Sequence, residues 1–206
     1  MKINRLNLGA ALKGSLLATV FFWGFSSCST DDSAADQNRS AALNIKETFD
    51  AVNRSPAPGN TPIAGIAVNA GFNELVEALV YVDSELDTGL VDLFSNGTDQ
   101  YTVFAPTDLA FQNLYAALNV TDVTELPAPL VRDVLLYHVV EGRRAANSVV
   151  PKNNTRTINT LLGSSFSVTP SASINAIGNT ANITTANISA SNGIIHVIDA
   201  VLLPID

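Results

Sequence analysis

The chain of 206 residues has one cysteine, Cys28, two histidines, one methionine and only 11 lysines and arginines. A lone cysteine excludes an internal disulfide, so the fold must stand on packing. The only imidazoles available as general bases are His138 and His196. There is no Gly-x-Ser-x-Gly elbow, no Gly-x-x-x-x-Gly-Lys phosphate cradle and no His-Glu-x-x-His pair. Asp83-Ser-Glu-Leu-Asp-Thr-Gly89 alternates carboxylates as a calcium loop does. However, its glycine is displaced and Phe94 stands where a closing glutamate belongs, so a solvated loop is expected. No catalytic residue, metal or cofactor is expected. Basic residues are scarcest of all. Met1 to Ser27 holds three of them, and the remainder sets 8 against 19 acidic side chains, a formal −11 that disfavours nucleic acid as a partner.

What is present is apolar. Hydrophobic residues make up 47% of the chain and charged ones 15%, enough for one buried core with appendages. Lys2, Arg5 and Lys13 precede an apolar stretch from Ser15 to Phe25, followed by Ser26-Ser27-Cys28. The stretch falls short of the about 20 residues that cross a bilayer but suits a signal-peptide core. The segment resembles a bacterial lipoprotein signal, which makes 1–27 removable and Cys28 the acylated first residue; an ordinary secretory signal is the alternative. Ser29-Thr30-Asp31-Asp32 resembles the acidic tract that sends Bacteroidetes-type lipoproteins to the outer face of the outer membrane, or else is a solvated linker. Asp32-Ser33-Ala34 resembles a short O-glycosylation motif. Residues 28–61 are polar and broken by Pro56, Pro58 and Gly59, as in a flexible tether about 30 Å across. Leu43 to Val52 could add a helical turn or two packed on the domain.

From residue 62 onward the patterns are those of a folded domain. Phe72, Leu75, Val76 and Leu79 predict a helix over 71–82. Phe111, Leu114, Tyr115 and Leu118 predict another over 108–118. Val131, Val134, Leu135 and His138 predict a third, with Pro129 in its first turn. Short β-like runs follow at 158–161, 166–169, 174–177, 181–184 and 187–190. Asn192-Gly193 reads as a tight turn before an apolar strand over 194–203. Helices first and strands later give an α+β domain.

Three segments carry a family resemblance. Tyr101-Thr-Val-Phe-Ala-Pro-Thr-Asp-Leu-Ala-Phe111, Leu135-Leu-Tyr-His-Val-Val-Glu-Gly142 and Asn192-Gly-Ile-Ile-His-Val-Ile-Asp-Ala-Val-Leu-Leu-Pro204 resemble, in order, the motifs of the fasciclin domain. On local grounds, Tyr101 to Ala105 alternates as a strand with Val103 inward, and Thr107 or Asp108 caps the next helix. His138 ends a helix beside Tyr137, where its imidazole can hydrogen-bond and a positive charge would face the favourable end of the dipole, so on local grounds it is read as structural. Asp199 interrupts an apolar strand, where it must be hydrogen-bonded, tying down a neighbouring loop or helix end. His196 lies in the same motif and is read, with Thr107, Asp108 and Asp199, as structural.

The resemblance implies a wedge-shaped β-sandwich with helices along one edge, spanning 62–206. It also implies a cell-surface adhesion role, through binding of an extracellular protein, matrix or glycan. In animal members the tyrosine–histidine region and a nearby Asp-Ile pair are linked to integrin binding. The matching residues here are Asp133, Val134, Tyr137 and His138. An enzyme or accessory protein of surface polysaccharide metabolism, or a purely structural envelope protein, is the alternative.

Overall fold

A computed structural model describes residues 57–205. The expected signal peptide 1–27, Cys28, Asp31, Asp32, Ser33 and the stretch 43–52 lie outside them.

Apolar spacing builds a helical layer first. It consists of α1 (Ile63–Ala70), α2 (Asn73–Leu86), α3 (Leu90–Asn96), α4 (Asp108–Leu118) and α5 (Ala128–Tyr137). Helix α4 has the expected limits, and α5 carries Pro129 in its first turn. Helix α2 runs a turn past residue 82, because Val82 and Leu86 extend the inward stripe of Leu75 and Leu79. Helices α1 and α3 were not expected. At eight and seven residues they are too short for apolar periodicity to declare itself.

The N-terminus of α4 is capped locally, those of α2 and α3 by side chains of other elements. Thr107 caps α4 locally, accepting the Ala110 N–H at 3.3 Å. Its neighbour Asp108 serves a different helix: Oδ1 accepts the Glu74 N–H at 3.1 Å and Oδ2 the Asn73 side-chain amide at 3.0 Å, at the start of α2. Asp83 accepts the Leu90 and Val91 N–H groups at 2.9 and 2.8 Å, which starts α3 and accounts for the would-be calcium loop. Burial alone would push that carboxyl up, but donors from Thr88, Val91, Leu90 and Gly89 hold it below the usual carboxylate range. Asp108→Ala should lower stability by about 1 kcal/mol, the usual worth of a cap. The measurement is urea unfolding of Asp108→Ala, Asn73→Ala and the double variant. Independent, additive losses would show that the two side chains do not act together.

The strands are β1 (Tyr101–Pro106), β2 (Val139–Glu141), β3 (Arg156–Asn159), β4 (Ser165–Val168), β5 (Ser173–Asn175), β6 (Thr180–Ala190) and β7 (Gly193–Ile198). A short helix, α6 (Ala146–Val149), joins β2 to β3. The strand order is β2-β1-β7-β6-β5-β4-β3, with β1 and β7 parallel and every other pair antiparallel. Strand β6 joins β5 on one side to β7 on the other. Its register with β7 shifts between Ile183 and Thr185 and again before Ile188, so one long bulged strand replaces the two expected runs.

Strand β1 is buried along its whole length, not on one face as expected. Tyr101, Val103 and Ala105 join the helical core, while Phe104 joins a second core with Tyr137, Val140, Ile158, Phe166 and Ile174. Strand β7 divides likewise: Ile195 and Val197 face the helices and Ile198 the second core. The molecule is thus α+β, with one core on each face of the β1–β7 pair.

Two boundaries differ for a stated reason. Leu161 leaves β3 because its N–H donates to the Val139 carbonyl at 2.8 Å, in β2 rather than β4. Strand β7 ends at Ile198 instead of 203. Asp199 is exposed there, not buried as expected, and its carboxylate accepts the Asn182 N–H at 2.7 Å and the Asn182 side-chain amide at 3.0 Å. It ties down the start of β6. Beyond it Val201 and Leu202 stay buried without a ladder, because Asn179 supplies both donor and acceptor to Val201 and Leu203.

Candidate functional site

The tyrosine–histidine motif lies where α5 runs into β2, and its aromatic half faces inward. Tyr137 has no exposed surface. Its hydroxyl donates to the Ser165 carbonyl at 3.0 Å, and its ring meets Phe166 edge-on with centroids 5.8 Å apart. Phe166 meets Phe104 in the same way at 5.0 Å. Tyr137 thereby pins α5 to the β3–β4 hairpin.

His138 is 3% exposed. Nδ1–H donates to the Val134 carbonyl at 2.7 Å and Nε2 accepts the Leu202 N–H at 2.8 Å. Those partners select one neutral tautomer. Burial pushes its pKa down to about 4, against the opposing pull of the Val134 carbonyl. The imidazole is therefore an uncharged, hydrogen-bonded bridge between the end of α5 and the C-terminal segment, without the positive charge that a helix end would favour.

His196 is the opposite tautomer with the same logic. Nε2–H donates to the Arg144 carbonyl at 2.9 Å, and Nδ1 accepts the Asn187 N–H at 3.3 Å. Asn187 holds a left-handed backbone, φ 67°, in the bulged part of β6, and its side chain accepts the Ala146 N–H at the start of α6. Burial lowers the pKa of His196, with the Arg144 hydrogen bond opposing. Each histidine uses both ring nitrogens on backbone; His138 also lines a small apolar cavity with Ile63, Leu75, Phe94 and Val103, but both its nitrogens are taken up by Val134 and Leu202. Among the described residues no three metal-ligating side chains gather.

The other two motif residues reach the surface. Asp133 pairs with its neighbour Arg132 at 2.7 Å, the two side chains 38% and 40% exposed. Such a pair contributes little to stability. Val134 is half-buried and joins an apolar groove of about 110 Å³ between α4, α5 and the C-terminal segment, with Phe111, Leu114, Leu130 and Leu203. At its rim Leu118 and Ile205 are 47% and 53% exposed. The motif is therefore split: Asp133 and Val134 face outward, while Tyr137 and His138 hold the core.

Residues that sequence reading passed over do comparable work. Thr102, fully buried, donates to the Gly142 carbonyl at 2.6 Å and accepts the Arg144 N–H at 2.8 Å, closing the turn after β2. Arg143 donates to the Ala190 carbonyl at 3.0 Å, to the Gly193 carbonyl and to Ser189 Oγ at 2.6 Å, clamping the β6–β7 hairpin. Burial lowers its pKa. No local sequence signal marks either residue, since each partner lies some 40 or more positions away.

Comparison with known proteins places the arrangement. The profile of the fasciclin domain matches residues 70–204. Immunogenic protein MPB70 of Mycobacterium bovis is 35% identical over 142 residues, 68% of this chain and 68% of that protein. Cell surface glycolipoprotein MPB83 of the same species is 31% identical over 143 residues, 69% of this chain and 60% of that protein. Among solved structures, a domain pair from the insect cell adhesion molecule Fasciclin I aligns with 63% of this chain and 45% of its own. That alignment has 18% identity and a TM-score of 0.46.

Proposed function

Because this chain belongs to the fasciclin domain family, we propose that it works outside the cell as a lipid-anchored, non-catalytic module that holds an extracellular protein or glycan. The observation that carries the reading is the family match over 70–204 together with a relative named as a cell surface glycolipoprotein. Cys28, at the end of a signal-like segment, is the anchor in this proposal, with two or more acyl chains making attachment stable. None of the described helices is long and apolar enough to cross a membrane, so none of them supplies a span in its place. The outer face of the outer membrane is the proposed location, directed by Asp31 and Asp32.

Single contacts on such a module are weak, and many copies on one cell compensate through multivalency. Deleting 62–206 while keeping the first 61 residues should reduce attachment or aggregation of the producing cells. Cys28→Ser should do the same by releasing an intact domain from the envelope. Attachment unchanged by the deletion, with a defined substrate accumulating undegraded, would replace adhesion by catalysis.

A further inference from the structure

Charge is segregated along this fold in a way that the net value hides. Residues 57–141 carry twelve Asp and Glu side chains and a single cation, Arg132. Residues 142–198 carry no carboxylate and four cations, Arg143, Arg144, Lys152 and Arg156. The first stretch supplies helices α1–α5 and the second supplies α6 and β3–β7. A chain that is acidic overall therefore contains a stretch of net positive charge, bounded by the exposed carboxylate of Asp199 beside the start of β6.

Within that half an open cleft of about 490 Å³ runs between α6 and the start of β3. Its lining is Asn147, Lys152, Asn153, Asn154, Thr155 and Arg156, with Pro151 as its buried floor. None of these is acidic. All except Pro151 are exposed. Arg156 is steadied at the wall by donating to the Ser148 carbonyl, which aims its guanidinium without neutralising it. Side-chain amides donate and accept at once, which matches the hydroxyls of a sugar ring, and the two cations match an acidic substituent. The cleft contains no aromatic face on which a base or a neutral sugar would stack.

We propose that this cleft binds an acidic polysaccharide, with Lys152 and Arg156 meeting its carboxylate or sulfate groups and the asparagines its hydroxyls. The inference rests on the adhesion reading and names the chemistry of its partner. Exposed ion pairs are individually weak and salt-sensitive, so binding depends on repeated charges along the polymer and repeated copies of the protein.

The test uses the detergent-extracted full chain on beads, with alginate and dextran sulfate as acidic probes and dextran as the neutral one. Both acidic polymers should be retained and dextran should not. Retention should fall roughly tenfold as salt is raised from about 50 to about 500 mM. Lys152→Gln and Arg156→Gln should each weaken retention several-fold. Unfolding midpoints are measured alongside, and Lys152→Gln decides alone if loss of the Ser148 contact destabilises the other variant. Equal retention of dextran, or alginate retention untouched by Lys152→Gln, overturns the proposal. Full displacement by an equal charge of inorganic sulfate also overturns it, since the site would then be one for small anions. None of these failures touches the adhesion reading, which is judged by cells lacking 62–206.

Discussion

Between pH 7 and pH 4 the domain should lose roughly 3 kcal/mol of stability through His138 alone. The folded state holds the imidazole neutral down to about 4, because the ring is buried between the Val134 carbonyl and the Leu202 N–H. In the unfolded chain it takes up a proton at its ordinary value of 6.5. Below 6.5 the unfolded state therefore binds more protons than the native one, and stability rises with pH across the window from about 4 to 6.5. His196, lowered by burial too, acts in the same direction. Asp83, Asp122 and Glu125 are also lowered. Burial opposes this at Asp83, where it is the largest influence, and also at the two exposed carboxyls, whose hydrogen bonds from Thr124 and Thr121 dominate. Their loss sets in only as pH falls toward 4.5 for Glu125 and 3.8 for the two aspartates, so the histidines act without them over the upper part of the window.

His138→Gln separates the titration from the packing. At pH 7.5 the variant should be less stable by about 1–3 kcal/mol, because glutamine does not reproduce both hydrogen bonds at once. Its stability should then change less between pH 6.5 and 4 than that of the parent, leaving the slope due to His196. Urea unfolding at a series of pH values checks both. Parallel pH curves for parent and variant would show that His138 does not stay neutral in the fold.

His138 also marks how far the sequence could be read. Motif spacing located it, and helical periodicity placed it correctly at the end of α5. A structural, hydrogen-bonding role is legible there, but its long-range partner and its charge state are not local information. The Leu202 partner lies 64 positions away, and without it a histidine at a helix end reads as a favourable cation. The same division runs through the fold. Long stripes such as Phe111–Leu118 declared α4 fully, whereas α1 and α3 escaped notice. Their capping side chains are Asn192, 129 positions from Ile63, and Asp83, across an intervening turn. Capping rules look three residues ahead and miss such pairs. The β1 strand was read as one-sided because alternation cannot show that a second core covers the other face.

The largest structural penalties are expected at Asn192 and Gly193, and for reasons that a turn does not supply. Neither residue has a positive φ, so this Asn-Gly pair is not there to satisfy a left-handed hairpin; Ser191 and Asn192 make the connection, and Gly193 is already the first residue of β7. Asn192 is buried, and its Oδ1 accepts the Ile63 N–H at 2.8 Å while its amide donates to the Phe94 carbonyl at 3.1 Å. One side chain thus closes the start of α1 and the last turn of α3. Asn192→Ala leaves both backbone groups buried without partners, about 2–4 kcal/mol for the two. Asn192→Asp keeps the acceptor for Ile63 but sets an oxygen against the Phe94 carbonyl, and should be no better tolerated. At Gly193 a Cβ would collide with the Tyr101 carbonyl oxygen and lie 2.7 Å from Ile63 Cδ1. The obstacle is backbone of the parallel partner strand, which cannot swing aside as a side chain would. Gly193→Ala must therefore part β1 from β7 at the first pair of their parallel register, between the two cores, a cost of about 3 kcal/mol or more, a large share of a domain's total stability. Both variants should lose native yield and unfold at markedly lower urea. A pair chosen only for its turn would behave differently: Asn192→Asp would be nearly silent, and Gly193→Ala would cost about 1 kcal/mol at most. That pattern of small effects would refute the assignment of Asn192 as a two-helix cap and of Gly193 as the contact point of the parallel strands β1 and β7.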